Sequence, residues 1–108
     1  MKILHICAKD DWQQATARGE YLADSLENEG FIHCSRSEQV EKVANSFYVG
    51  LPGLVLLHID ADRLTAEVKW EAADGDEFPH IYGPINLDAV VEIEEFEPGE
   101  DGLFKYPS

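Results

Sequence analysis

The chain has 108 residues, 44% of them hydrophobic and 28% charged, which is typical of one folded domain and not of a disordered segment. Its 22 acidic and 8 basic residues give a formal net charge of -14, which opposes binding to nucleic-acid phosphates and to anionic membranes. We therefore expect a single domain over residues 1–108, with a core at about 2–96, a C-terminal tail at 97–108, and neither nucleic acid nor membrane as a partner.

The first thirty residues predict one strand and one helix. Residues 2–7, KILHIC, have the composition of a β-strand, with His5 on the same face as two apolar side chains. A short helix is predicted over residues 11–18 and ends at Gly19. Residues 20–29 are polar and are predicted to form a loop.

The segment GFIHCS at residues 30–35 predicts a second strand that runs into a second helix. Phe31, His33 and Ser35 share one face of an extended chain. Ser35 and Glu38 have the spacing of a capping box, which predicts that the helix begins there and ends near residues 48–50. The apolar stripe of this helix comprises Val40, Val43, Ala44 and Phe47.

The second half of the chain predicts mostly strands, at residues 54–60, 68–71 and 87–96. The first of these is almost continuously apolar, as expected at the centre of a sheet. Residues 72–77 are predicted as an acidic loop. Residues 78–85 are interrupted by prolines and are predicted to lie along an edge or to line a cleft, and not to form a central strand. Few helices and many strands indicate an α+β fold, with a curled mixed or antiparallel sheet and two early helices. The tail from residue 98 is predicted to be loose unless Leu103, Phe104 or Tyr106 holds it.

The cysteines and the N-terminal segment indicate a cytoplasmic protein. Charged residues follow MKILHIC at once, unlike in a secretory signal peptide. Cys7 and Cys34 do not form a CxxC pair and are expected to be reduced, buried thiols.

Three histidines from distant parts of the chain are candidates for one pocket. His5, His33 and His80 each lie in a short apolar segment, which indicates polar side chains converging on a cleft. The alternative is that each is a core histidine bonded to a main-chain carbonyl, and His58, within the buried strand, fits this alternative best. Ser35 is best explained as a helix N-cap, and the N–H groups that follow it can hold a phosphate or carboxylate.

Metal binding and a nucleophilic site are less well supported. Histidines and cysteines offer ligand atoms, but no CxxC or HExxH pair spaces them for one ion, so no metal is expected. Ser35 or Cys7 beside a histidine is a possible nucleophile, but a GxSxG elbow is absent. Tyr48 and Tyr82 are candidates to flank a planar ligand, and Glu71 stands apart from the acidic background.

Two segments are specific enough to identify a relationship: EGFIHCS at residues 29–35 and FPHIYGPIN at residues 78–86. They are accompanied by Trp12, Tyr21, Gln39 and Glu71. Together, over residues 3–96, these features resemble the small bacterial family of unknown function numbered 952. The resemblance implies a fold similar to that of the ADP-ribosyltransferases, which act on NAD. The residues that it places in the site are His5 at the ribose, His33 and Ser35 on the second strand, Tyr48 stacked on nicotinamide, and Glu71 or His80 near the third motif.

We therefore expect an ADP-ribosyltransferase-like domain that binds NAD or a related nucleotide and transfers or hydrolyses ADP-ribose. The candidate catalytic residues are His33, His80 and Glu71, and the candidate ligand-binding residues are His5, Ser35, Tyr48 and Tyr82. NAD would be a substrate, and no resident cofactor is expected. The alternative is a non-catalytic module of the same fold that binds a small ligand or, given its negative charge, a basic protein. A histidine-based hydrolase is a third hypothesis.

Overall fold

The computed structural model describes residues 1–106 and has an α+β architecture. The strands are β1 (Lys2–Ala8), β2 (Glu20–Tyr21), β3 (Ile32–His33), β4 (Leu54–Asp60), β5 (Glu67–Ala73), β6 (Asp76–Tyr82), β7 (Ile85–Asn86) and β8 (Val90–Phe96). The helices are α1 (Lys9–Arg18), α2 (Asp24–Glu29) and α3 (Ser37–Phe47), and 3₁₀ turns cover Ala61–Arg63 and Leu87–Ala89.

The strands form separate antiparallel sheets. The first sheet has the order β1-β4-β8, the second has the order β3-β6-β5, and β2 pairs with β7. The α+β class and the antiparallel pairing predicted from the sequence are confirmed, and β4 is the centre of the first sheet. A single curled sheet with two helices is wrong, because residues 1–106 form three sheets and three α-helices.

A proline explains where the chain changes sheets. β6 was predicted at an edge but lies between β3 and β5. Cys34 donates its N–H to the carbonyl of Pro79 at 3.1 Å, and Pro79 has no N–H to return. β3 therefore ends at His33, and Ser35 instead pairs with Leu4 of β1, with N–H to O distances of 2.8 and 2.7 Å. The missing donor is tolerated because it falls where the ladder ends.

The acidic loop predicted at residues 72–77 is wrong except for a two-residue turn, because these residues form the end of a tight hairpin. β5 and β6 are joined by Asp74 and Gly75, whose φ angles of 51° and 81° are both positive. This is the geometry that an Asp-Gly pair adopts in two-residue hairpins, and it matches the twist of the flanking strands. The hairpin brings the turn beside α3.

The early helices differ from the prediction in their number and bounds. α1 begins at Lys9 instead of residue 11, and Gly19 ends it in the left-handed conformation, with φ of 98°. α2 lies inside the predicted loop 20–29 and ends at Gly30, with φ of 90°. Its residues are not buried, so it has no apolar stripe to reveal it. Within residues 1–106 no helix is both long and apolar enough to cross a bilayer.

α3 packs on the first sheet through its apolar stripe. Val40 and Ala44 are fully buried there, whereas Phe47 is 69% exposed. The N-cap is Arg36 and not Ser35, and the main-chain N–H of Arg36 donates to Gln39 Oε1 at 2.9 Å. The capping interaction therefore lies one residue further along the chain than predicted.

The C-terminal tail is packed against this layer. Phe104 is 1% exposed and stacks on Phe96 with ring centres 4.8 Å apart. Asn45 of α3 bonds the main chain of Phe104 on both sides, at 2.7 Å to its N–H and 3.0 Å to its carbonyl. The core thus extends past residue 96, through one of the aromatic residues that the sequence identified as possible anchors.

Candidate functional site

A pocket of about 360 Å³ opens between α3, β3 and the β5–β6 hairpin, with β1 below it. Its size is within the range of small-molecule sites. Aromatic and aliphatic side chains form most of its wall, with two imidazoles, two hydroxyls and one carboxylate among them. The lining residues are Leu4, Ile6, Phe31, His33, Cys34, Ser35, Val43, Phe47, Tyr48, Ala72, Ala73, Asp74, Phe78 and His80.

His80 is held in this wall by a carboxylate behind it. Its Nδ1 lies 2.8 Å from Glu71 Oε1, and the hydroxyl of Tyr82 donates to the same oxygen at 2.6 Å. The bonds from Tyr82 and then from His80 hold the pKa of Glu71 below its usual value, so this carboxylate is ionised and accepts. Nδ1 of His80 is then the donor, which leaves Nε2 as the nitrogen available to a ligand.

His33 faces His80 across the β3–β6 pair. The two residues are directly opposite in the register, and their ring centres are 5.3 Å apart. Nε2 of His33 lies 3.1 Å from Glu29 Oε2, so this imidazole also has a carboxylate partner. Phe31 stacks on His80 with ring centres 4.2 Å apart and stiffens the pair. The site thus has two adjacent imidazoles, each bonded to a glutamate.

His5 does not line the pocket. Its Nδ1 donates to the carbonyl of His33 at 2.6 Å, and its Nε2 lies 2.9 Å from the hydroxyl of Tyr21 in the core. Burial lowers the pKa of His5 to about 4, and the ring is therefore neutral at neutral pH. His5 supports the main chain that carries His33, and both of its nitrogens are occupied within the fold.

The other candidates lie in different surroundings. Ser35 and Tyr48 line the pocket. Tyr82 does not line it; its hydroxyl bonds to Glu71, and its ring centre is 5.4 Å from that of Phe31. Burial raises the pKa of the Cys7 thiol to about 12, and burial also raises that of Cys34. Neither thiol forms a thiolate at neutral pH, which weakens both as nucleophiles.

A clamp between α3 and the hairpin turn fixes one end of the pocket. The buried side-chain amide of Gln39 donates to Asp76 Oδ2 and to the carbonyl of Glu77, both at 2.8 Å. The guanidinium of Arg36 lies 3.4 Å from Asp76 as well. The clamp holds the walls formed by α3 and by the hairpin at a fixed separation.

His58 lies on the same face of the first sheet as Leu4, its partner in the β1–β4 register, but it does not line the pocket. Its Nε2 lies 2.8 Å from Glu94 Oε1, and its buried Nδ1 has no partner among residues 1–106. His58, Glu92 and Glu94 bring their ligand atoms within 4.8 Å of one another. Glu92 and Glu94 lie on an acidic surface strand, and the direct bond from Glu94 to the imidazole accounts for the arrangement.

Sequence reasoning missed several pocket residues. Phe47 was predicted in the apolar stripe of the helix and Asp74 in a loop, and neither Phe31 nor Phe78 was named as a site residue. The Asp-Gly pair was the available signal for Asp74, because it predicts a hairpin turn. No pattern in the sequence identifies Phe47 as exposed, since it completes the apolar stripe of α3.

Comparisons with solved structures show the same fold in one bacterial protein. The crystal structure of protein CC0527 from Caulobacter crescentus matches with a TM-score of 0.89 and 32% sequence identity, covering 97% of this chain and 94% of that one. Its solution NMR structure matches with a TM-score of 0.82 and 33% identity, covering 94% and 90%. No curated protein matches this chain.

The family comparison covers most of the chain and includes β3, β6 and the residues that carry the two imidazoles. The model of the family described as "Protein of unknown function (DUF952)" matches residues 6–93. The chain therefore belongs to the DUF952 family.

Proposed function

We propose that the pocket between α3 and the β5–β6 hairpin binds the nicotinamide–ribose end of NAD or of a related nucleotide. The observation that supports this most is the pairing of His33 and His80, with ring centres 5.3 Å apart, in a wall otherwise rich in aromatic side chains. The GFIHCS and FPHIYG segments resemble the family numbered 952, and the similarity to ADP-ribosyltransferases that this resemblance implies supports the same ligand class.

Each part of such a ligand has a suitable group in the wall. A planar ring would lie against Tyr48 or Phe78, which gain contact area by stacking. The ribose hydroxyls would bond to His33 and to the hydroxyl of Ser35. A cavity of about 360 Å³ accommodates a nucleoside and leaves the rest of a dinucleotide outside.

The chemistry that follows is hydrolysis at the ribose. In this proposal Nε2 of His80 takes the proton of a water whose oxygen attacks the ribose C1′. The bond from C1′ to the pyridinium nitrogen breaks, and its electron pair leaves the ring neutral. Glu71 stabilises the imidazolium that forms and keeps Nδ1 protonated, and it acts through His80 without reaching the substrate itself.

NMR of the four histidine side chains tests the binding step. With nicotinamide, ADP-ribose and NAD added in turn, the ring signals of His33 and His80 are expected to shift. The signals of His5, enclosed in the core, and of His58, which bonds to Glu94 and does not line the pocket, serve as internal controls and stay in place. No shift at millimolar concentrations of any of the three would overturn the proposal.

A hydrolysis assay separates an enzyme from a binding module. If the pocket is catalytic, nicotinamide is released from NAD, and the substitution His80→Gln abolishes the release while NAD still shifts the signals of His33. Binding without release would favour the non-catalytic alternative. In that case the net charge of -14 would attract a basic partner protein, and Phe47, which lines the pocket and is 69% exposed, would lie in the contact.

We also propose a cytoplasmic location. Cys7 and Cys34 are both free and buried, as in a protein that folds without disulfides in a reducing compartment. Detection of the protein in fractionated cells, with a cytosolic marker as the control, tests this.

A further inference from the structure

We propose that the pocket selects a small planar cation without a phosphate group over a whole dinucleotide. This inference rests on the proposed function, because it concerns the ligand of the same pocket. It narrows the ligand class to a positively charged aromatic ring, such as a pyridinium nucleoside.

The charges around the pocket are negative. Among the described residues 1–106, no lysine or arginine belongs to the lining, whereas Asp74 does. Glu29 and Glu71 stand behind the two imidazoles, each bonded to one of them. A phosphate placed in this wall would face like charges without a cation to offset them, whereas a positive ring would be attracted.

The basic side chains nearest the pocket do not line it. Lys69 lies opposite His80 in the β5–β6 register, and its ammonium is 4.7 Å from the centre of the Tyr82 ring, beside Glu71. Lys42 lines a smaller adjoining cavity of about 110 Å³, together with Glu38 and Asp76. Arg36 lies 3.2 Å from Glu38 and 3.4 Å from Asp76, so its charge is already paired. Acidic groups thus outnumber basic ones in the adjoining cavity as well.

The aromatic side chains favour a positive ring for a second reason. Phe47, Tyr48 and Phe78 line the pocket from two sides. The face of an aromatic ring carries partial negative charge and attracts a cation, more strongly where water is excluded. The apolar wall also raises the cost of desolvating a phosphate that finds no lysine or arginine in the lining to pair with.

Two matched pairs of compounds test the inference by calorimetric titration. 1-Methylnicotinamide and nicotinamide share a ring and differ in its charge, and the cation is expected to bind about five- to tenfold more tightly. Nicotinamide riboside and nicotinamide mononucleotide differ by one phosphate, and the riboside is expected to bind more tightly. Added salt is expected to weaken binding of the cation and to leave that of nicotinamide unchanged.

Substitution of Asp74 tests whether its carboxylate is responsible for the preference for the cation. Asp74→Asn is expected to reduce the advantage of the cation about threefold, whereas Asp10→Asn, at an exposed site on α1 outside the pocket, leaves it unchanged. Equal affinity for both members of either pair overturns the inference while the proposed function stands. Binding of the cation without any binding of NAD supports the inference and overturns NAD as the ligand. Failure of every compound to bind removes the proposed function, and the inference with it.

Discussion

The Nδ1 atom of His80 lies 2.8 Å from Oε1 of Glu71, and the carboxylate thereby determines which nitrogen of the imidazole is left for the pocket. Because Glu71 only accepts, the neutral ring carries its proton on Nδ1. The substitution Glu71→Gln offers both a donor and an acceptor, so we expect it to give a mixture of the two ring tautomers. The nitrogen chemical shifts of His80, measured in alkaline buffer, report the change.

Tyr82→Phe is the matched control for this prediction. It removes the other bond to Glu71 Oε1 but keeps the carboxylate, and the tautomer of His80 is expected to stay fixed. If Glu71→Gln leaves the shifts of His80 unchanged, the carboxylate does not set the tautomer.

His5 is expected to make stability depend on pH. Its pKa is about 4 in the fold against 6.5 for the free group, because burial disfavours the charged ring. The unfolded chain therefore binds a proton that the folded chain does not. Stability is fully present above pH 6.5 and falls as the pH drops towards 4, by on the order of 3 kcal/mol in total.

Urea unfolding at several values across this pH window measures the effect, and His5→Gln is expected to flatten the dependence. The shifted carboxylates, Glu71 and Asp76, have lowered pKa values and contribute only at the acidic end. His33→Gln, which changes a half-exposed ring, is the control. If the unfolding free energy of His5→Gln still depends on pH over this window, the dependence arises from other titratable groups.

Phe104 is expected to matter more for stability than any other residue of the tail. Its ring is 1% exposed and stacks on Phe96. Phe104→Ala leaves a cavity under the tail and is expected to cost about 3–5 kcal/mol of unfolding free energy. Leu103→Ala, at a neighbouring side chain that is 43% exposed, is expected to change it by less than about 0.5 kcal/mol. Similar costs for both variants would mean that the tail does not pack as described.

His58 is expected to be a site where substitution stabilises the fold. Its Nδ1 is buried without a partner among residues 1–106, and an unsatisfied buried polar atom costs about 1–3 kcal/mol. His58→Leu removes that atom, and Glu94, which is half-exposed, regains water. We expect the unfolding free energy to rise by about 1 kcal/mol, measured by denaturant titration. Glu94→Gln is the control, because it changes the partner of His58 Nε2 and leaves Nδ1 in place. A large destabilisation in His58→Leu would contradict the prediction.

The sequence predicts the first sheet better than the rest of the fold. β1 and β4 are apolar on both faces because cores lie on both sides of the sheet, so long apolar runs reveal them. α2 leaves no such trace, since it buries none of its residues. β6 was mistaken for an edge strand because the effect of Pro79 depends on where β3 stops, and the sequence does not show that.

The sequence indicated which types of residue form the candidate site, but not which of them lie next to one another. The sequence indicates that histidines converge, yet only the strand register places His33 directly opposite His80. The orientation of His5 depends on Tyr21 from β2, whose two-residue strand no periodicity reveals. Residue types thus indicated imidazoles as candidates for the site, and long-range pairing decided which of them share the pocket.

The bridge between Leu4 and Ser35 joins the two three-stranded sheets at the floor of the cavity. Widening of the cleft lengthens these two main-chain hydrogen bonds. A ligand that draws the walls together keeps them short. The rate of deuterium exchange at these two amides therefore reports how often the two sheets separate. A bound molecule is expected to slow exchange at these amides more than in the strands on either side.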